Sequence, residues 1–362
     1  MKERKKVIAI ATGGTGGHIF PSVSLYDYLS KEYQLEFITD QRGLKYLKDR
    51  KNFKINVVSS SRIFSKNIFK VFFSSIKIIF SIISSFILLI KLKPQVIVGM
   101  GGYSSFAVCM SAYALKIPIL IYENNLIIGR ANRFLLPLSK KILVSTDKIE
   151  GIRKKYKDKV FFSGYFLRKE ILSLKADDKK ISEKELSILI IGGSQSAKIF
   201  GEQIPSIIKK CKDNGITFNL YQQCLDNQKN ELSKLYRELN LKFELFTFEK
   251  DLSKYYEKVD LAITRSGASS MAELINIKIP FISIPLPSST DDHQIKNAMY
   301  FQKKGYCFLL EQKYIFEKLF EMLKDLNEDR DKLTLLKEKM RQHSDKEALS
   351  KTKELIKRVL NG

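Results

Sequence analysis

The sequence predicts an α/β protein of two Rossmann-like domains with parallel sheets facing across a cleft. Three observations carry that expectation. Short, β-branched apolar runs alternate with helix-like stretches, the pattern of parallel sheets with right-handed crossovers. The alternation runs through one series and then restarts at LSILIIGG (186–193). A chain of 362 residues is also too long for one comfortable core and fits two domains.

The first series of strands reads VIAIA (7–11), LEFIT (35–39), INVVS (55–59), QVIVGM (95–100), IPILIYE (117–123) and KILVST (141–146). The second reads LSILIIGG, ITFNLY (216–221), FELFTF (243–248), LAITR (261–265) and PFISIPL (280–286). The junction is expected near FFSGYF (161–166), after the sixth strand. The domains are therefore set at 1–162 and 163–340, with a helix over 341–362 returning to the first. The tail from about Glu311 is charged and helical.

One crossover stands apart. VFFSSIKIIFSIISSFILLI (71–90) is about as long as a membrane span, but five serines and Lys77 interrupt it. The βαβ series continues on both sides, so a crossing would split one sheet between two compartments. Two readings stay open. The helix is buried core, or it packs partly on the sheet and presents an apolar patch ringed by Arg62, Lys66, Lys70, Lys77, Lys91 and Lys93, suited to anionic membrane.

The formal charge of +24 directs the chain toward anionic partners: nucleic acid, an acidic membrane face or phosphorylated ligands. Nucleic acid is not expected, because RNA-binding, zinc-finger and heptad basic-region patterns are missing from the sequence. Four cysteines without CxxC spacing suit a reducing compartment and no structural zinc. The apolar run in MKERKKVIAIA leads into glycines and a histidine, so it reads as a first strand rather than a signal peptide. The sole DxD, Asp329-Arg330-Asp331, lies in a charged helical stretch, so no metal site is expected.

Four strands end in small-residue turns: GGTGGH (13–18), GMGGYSS (99–105), GGSQSAK (192–198) and TRSGASSMAE (264–273). Each leads into a helix N-terminus, where outward amides and the helix dipole favour a phosphate or diphosphate. The dinucleotide fingerprint fails, since a GxGxxG frame from Gly14 meets Ile19, and no P-loop is present. His18, at the edge of the first turn, is a candidate general base because imidazole ordinarily titrates near neutrality. As an ordinary structural residue it would cap its helix.

GGTGGHIFP, GGYSS, ENN (123–125), GGSQSA, RSGASSMAE and DDHQIKNA (291–298) together resemble the successive motifs of the MurG family, in order over nearly the whole chain. The resemblance implies a GT-B fold, an N-terminal acceptor and membrane-association domain, and a C-terminal UDP-GlcNAc domain. It implies inverting transfer of GlcNAc from UDP-GlcNAc to lipid I without metal or cofactor, by a peripheral protein on the cytoplasmic face of the inner membrane. His18 or Glu123 would be the base. Gly13, Gly14, Gly101, Gly102, Tyr103, Ser104 and Asn124 would contact the lipid diphosphate acceptor. Thr15, Gly16, Gly17, Asn125, Arg168, Ser194, Phe248, Glu249, Ser269, Ser270, Glu273 and Gln294 would serve the donor. Among these, Ser194 would meet a UDP phosphate, Glu273 the ribose hydroxyls, Phe248 with Glu249 the uracil, and Gln294 with His293 the sugar.

Three positions depart from the family pattern: Asn124 stands where many members have Gln, Ser196 where glycine is frequent, and Tyr165-Phe166 where Asn-Pro precedes the arginine. Two other functions remain open. One is a different GT-B lipid glycosyltransferase, of diacylglycerol type, which shares the C-terminal motifs. The other is a non-catalytic nucleotide-binding protein.

Overall fold

The structure is a computed structural model. It describes residues 5–14, 16–48, 50, 52–59, 68–174, 180–193, 197–247, 249 and 251–362, with only the helical backbone of 68–75. The chain divides into two compact units, residues 1–168 with 345–362, and residues 169–344.

Among the described residues the first unit holds seven parallel strands: β1 (Val7–Ala11), β2 (Gln34–Thr39), β3 (Ile55–Val57), β4 (Val96–Gly99), β5 (Ile119–Glu123), β6 (Lys141–Val144) and β7 (Val160–Phe162). Their order is β3-β2-β1-β4-β5-β6-β7. The helices between them are α1 (Gly16–Leu29), α2 (Gln41–Leu44), α3 (Ile68–Leu92), α4 (Tyr103–Ala114) and α5 (Arg130–Leu135). Alternation along the strands builds two cores. Ile8, Ile10, Val98, Leu120 and Tyr122 face one side and pack with Ile19, Val23 and Leu25 of α1. Ala9, Ala11, Ile97, Ile119 and Ile121 face the other, against Leu89 of α3, Val108 and Ala112 of α4, and Leu135 of α5. Each fully buried Leu, Ile or Val contributes roughly 1.5–3 kcal/mol.

The second unit repeats the plan with β8 (Leu186–Ile191), β9 (Phe218–Gln223), β10 (Phe243–Phe246), β11 (Leu261–Thr264), β12 (Phe281–Ser283) and β13 (Phe308–Leu309), in the order β10-β9-β8-β11-β12-β13. Its helices are α6 (Lys169–Ser173), α7 (Ala197–Asp213), α8 (Asp226–Glu238), α9 (Ser253–Tyr256), α10 (Ala268–Asn276), α11 (His293–Lys303), α12 (Ile315–Glu328) and α13 (Asp331–Met340). Ile188 and Ile190 pack against Phe200 and Ile204 of α7 and Leu319 and Leu323 of α12. The last helix, α14 (Ala348–Asn361), belongs to the first unit, where Leu349, Leu355 and Ile356 join the core on the α1 side.

In both sheets the strand order reverses once, between β1 and β4 and between β8 and β11. Ligands of open α/β sheets bind at that switch point, beyond the carboxyl ends of the strands. All four glycine turns follow these four strands, so each sheet brings two together.

Two strands escaped the sequence reading. β7 is a half-exposed edge run overlapping the start of the segment expected as the junction, and β13 pairs over only two residues. The connection after β7 stays with the first unit. Tyr165 and Phe166 are buried, the Phe166 ring stacks on Tyr122 at 4.1 Å, and the Tyr165 amide donates to Asp345 Oδ1 at 3.0 Å. Gly164 makes the turn possible: its φ is +90°, and a Cβ there would lie 2.6 Å from Asp345 Oδ1.

Candidate active site

In the first unit the turns after β1 and β4 meet closely. A Cβ on Gly102 would lie 2.6 Å from the carbonyl oxygen of Gly13, and one on Gly13 would lie 1.8 Å from Ser104 Oγ. Ser104 Oγ donates to the Thr12 carbonyl at 3.0 Å, clasping the two turns. That use makes Ser104 a buried brace rather than the open acceptor contact expected of it. Gly14 has φ +89° with nothing within 4 Å of its Cβ direction, so this turn faces open space. The helix α4 starts on Gly102 without a side-chain cap, so its first amides, from Tyr103 onward, are left for another acceptor.

His18 lies in the first turn of α1, and its imidazole rests on Gly101. A Cβ there would be 2.8 Å from both Nδ1 and Cε1. The neighbouring backbone is held from β5: Asn124 Nδ2 donates to the Gly17 carbonyl at 3.0 Å. Asn125 Nδ2 in turn donates to Asn124 Oδ1 and to Glu123 Oε1, both at 3.0 Å.

Glu123 itself is buried and saturated. Oε1 accepts from the amide and side chain of Asn125, and Oε2 accepts from the Gly129 amide at 2.9 Å and Asn132 Nδ2 at 3.0 Å. A carboxylate with two donors on each oxygen organises its loop and has no lone pair directed at a substrate proton, which argues against the base role entertained for it. Arg168, beside Phe20, has its guanidinium carbon 5.7 Å from that ring's centroid, on the first unit. Gly16 is also close to Phe20, whose ring would be 2.9 Å from an added Cβ.

In the second unit, Thr264 at the end of β11 leads into Arg265, Ser266 and the glycine cap of α10. Arg265 is buried and donates to the carbonyls of Ile284 and Pro285, both at 3.2 Å, and to Gln312 Oε1 at 2.6 Å. Its guanidinium also stands over Phe200 at 4.7 Å. Burial lowers its pKa to about 10, which leaves it a cation at neutral pH. Ser266 and Ser283 share a hydrogen bond of 2.7 Å, fixing the turn to β12. Ser269 and Ser270 sit half-buried in the first turn of α10, and Glu273 follows one turn on. The Tyr256 hydroxyl donates to Glu273 Oε2 at 2.9 Å and sets that carboxylate.

The DDHQ segment is strained. Asp291 and Asp292 have φ of +53° and +55°, a region costly for residues other than glycine. This kink starts α11 so that Gln294 Oε1 accepts from the Leu286 amide at 3.0 Å and His293 Nδ1 meets the Thr290 carbonyl at 2.7 Å. Glu249 is engaged by Lys254 at 2.5 Å and by the Asp251 amide at 3.2 Å. Thr15, Ser194, Gln195, Ser196 and Phe248 lie outside the described residues.

Three supports were not singled out from sequence. Asp40 at the end of β2 accepts from the Gly43 amide at 2.9 Å, pairs with Arg42 at 2.7 Å and stands behind the first glycine turn. An aspartate ending a strand before QRGL is a helix-cap signal that could have found it. Gln223 bridges the turn after β8 to the end of β10, accepting from Gly193 and donating to the Thr247 carbonyl. Arg265 was seen only as part of a motif.

The first half of this architecture, residues 8–144, matches the glycosyltransferase family 28 N-terminal domain, and residues 187–359 match the glycosyltransferase family 28 C-terminal domain. The class is therefore a two-domain glycosyltransferase with a GT-B-like fold. Two curated relatives, from Pelagibacter ubique and Rickettsia canadensis, carry the name UDP-N-acetylglucosamine–N-acetylmuramyl-(pentapeptide) pyrophosphoryl-undecaprenol N-acetylglucosamine transferase. The first is 35% identical over 93% of both chains, and the second 37% identical over 89% of this chain and 90% of its own. The crystal structure of Acinetobacter baumannii MurG is similar with a TM-score of 0.78 and 26% identity, covering 98% of this chain and 99% of that one. The chain belongs to the MurG family of glycosyltransferases. A UDP co-structure of Staphylococcus aureus MnaA, 16% identical with a TM-score of 0.70 over 99% and 97% of the chains, shares the fold.

Proposed function

We propose that this enzyme transfers GlcNAc from UDP-GlcNAc to the muramyl 4-hydroxyl of lipid I, giving lipid II for peptidoglycan synthesis. The observation that carries the reading is the His18 imidazole seated against Gly101, where two glycine turns converge at a sheet's switch point. His18 takes the proton from the acceptor hydroxyl as its oxygen attacks the anomeric carbon. The new C–O bond forms as the bond from that carbon to the diphosphate breaks, and UDP leaves with the electron pair. Attack opposite the leaving group turns an α-linked donor into a β-linked product. The paired turns at Gly13, Gly14, Gly101 and Gly102, open at Gly14, accommodate the lipid diphosphate, with the first amides of α4 as donors.

On the second unit, Glu273 accepts from the ribose hydroxyls and the uncapped start of α10, with Ser269 and Ser270, meets the UDP phosphates. Gln294 and His293 address the transferred sugar. Ser194 and Phe248 keep their expected roles at phosphate and uracil.

The enzyme binds the cytoplasmic face of the inner membrane peripherally. Ile79, Phe80, Ile83, Ile87 and Ile90 form an outward stripe on α3, each at least half exposed, while Ser81, Ser85 and Leu89 face inward. Exposed Lys77, Lys91 and Lys93 flank the stripe. Such a surface suits anionic lipid. Among the described residues no helix is long and apolar enough to cross a membrane.

The test is transfer of labelled GlcNAc to synthetic lipid I and, in parallel, to diacylglycerol. Product on lipid I alone supports the reading, and product on diacylglycerol alone overturns it in favour of the other lipid glycosyltransferase.

A further inference from the structure

Pro21 lies inside α1, four residues after Gly17. In an uninterrupted helix the amide of residue 21 donates to the carbonyl of residue 17. Proline has no N–H, so that bond cannot form. The Gly17 carbonyl instead accepts from Asn124 Nδ2 at 3.0 Å, across 107 residues of sequence. Asn124 is buried, and its amide orientation is fixed because its Oδ1 accepts from Asn125, itself tied to Glu123. Residue 18 follows the clamped peptide directly, with its imidazole against Gly101.

We propose that Asn124 is a positioning residue for His18, supplying to the Gly17 carbonyl the hydrogen bond that Pro21 withholds. The Glu123–Asn125–Asn124 chain thereby aims the imidazole from the end of β5. A helix with alanine at 21 would close its own ladder at the Gly17 carbonyl, so its first turn would depend less on the hydrogen bond from the end of β5. Proline thus makes the turn that carries the base dependent on a neighbouring strand. The functional half of the inference rests on His18 being the base; the hydrogen-bond coupling does not.

The experiment is a cycle of wild type, Asn124→Ala, Pro21→Ala and the double variant, read by unfolding equilibrium and by kcat and KM. Asn124→Ala should lower both kcat and the folding equilibrium about tenfold, one buried hydrogen bond lost, with KM for UDP-GlcNAc unchanged. In the Pro21→Ala background the same change should cost under twofold, because the new amide serves the carbonyl. Equal costs in both backgrounds would overturn the proposal. So would a rise in lipid I KM at constant kcat, which marks Asn124 as an acceptor contact. If Pro21→Ala does not fold, Asn124→Gln and Asn124→Asp decide. Glutamine keeps a donor and should stay within about threefold of wild type, whereas aspartate has none and should fall at or below Asn124→Ala. Glutamine as damaging as aspartate refutes the clamp. A His18→Ala enzyme with near-normal kcat removes the base reading, while the unfolding cycle still tests the hydrogen bond by itself.

Discussion

The two units share a strand order and a switch point, yet build their turns by opposite means. In the first unit the turns are made by removing side chains: Gly13, Gly101 and Gly102 allow backbone, Ser104 and His18 to approach within distances a Cβ would forbid. In the second they are held by long polar side chains reaching in: Gln223 to Gly193, Arg265 to Ile284 and Pro285, Gln294 to Leu286. At Gly267 an added Cβ meets nothing within 4 Å. One topology thus fixes where a ligand can sit, while the side chains decide whether the place is a tight backbone cradle or a hydrogen-bonded frame. The outer surfaces differ too. The α3 stripe leaves five large apolar residues exposed in the first unit, whereas α7 and α12 turn most of theirs into the core of the second, with Phe316 of α12 exposed.

The largest effect should come from the first unit's one imidazole at the turn. His18→Ala is expected to cut kcat by roughly 100- to 10,000-fold, the range for a lost general base. UDP-GlcNAc affinity should hold near wild type, because most of the expected donor residues belong to the other unit. The acid limb of the wild-type kcat profile should disappear with it. Steady-state kinetics against pH with saturating lipid I decides, and a retained acid limb would move the role to another group.

The surface contrast gives the next effect. Changing Ile79, Ile83 and Ile87 together to serine removes about 1 kcal/mol of lipid burial each, roughly 100-fold in binding to anionic vesicles. Cosedimentation measures it, and added salt should weaken the wild type through its flanking lysines. Unchanged binding would show that another surface meets the membrane.

The second unit answers next. Glu273→Ala should raise KM for UDP-GlcNAc by about 10- to 100-fold, since hydrogen bonds to a charged acceptor are lost. Calorimetry with plain UDP is the sharper reading: unaltered binding sinks the ribose assignment.

The smallest pair of effects compares the turns directly. Gly102→Ala should destabilise by about 2 kcal/mol or more, from a φ of +85° and a backbone oxygen 2.6 Å from the new Cβ. Gly267→Ala, with φ −70° and open space, should change stability by under about 0.5 kcal/mol. Equal melting shifts would abolish the distinction between cradle and frame.

What the sequence determined by itself was local. The strand runs, the small-residue turns and the charged tail are written in neighbouring residues, and among the described residues the strand runs and the helical tail emerged close to their expected places. The tertiary structure decided matters that depend on distant partners. Residues 163–168 join the first unit because Tyr122 and Asp345 bury Tyr165 and Phe166, although their sequence reads as a junction. The α3 helix is apolar on nearly every side, so periodicity could not tell its core face from its outward stripe. Glu123 ends a strand like a catalytic carboxylate, and only the folded loop shows four donors around it. Asn124 reads from sequence as an acceptor contact, and only the fold shows its amide donating to the carbonyl beside His18. Hydrophobic pattern and turn chemistry act over a few residues, whereas hydrogen-bond partners are set by how strands and helices pack.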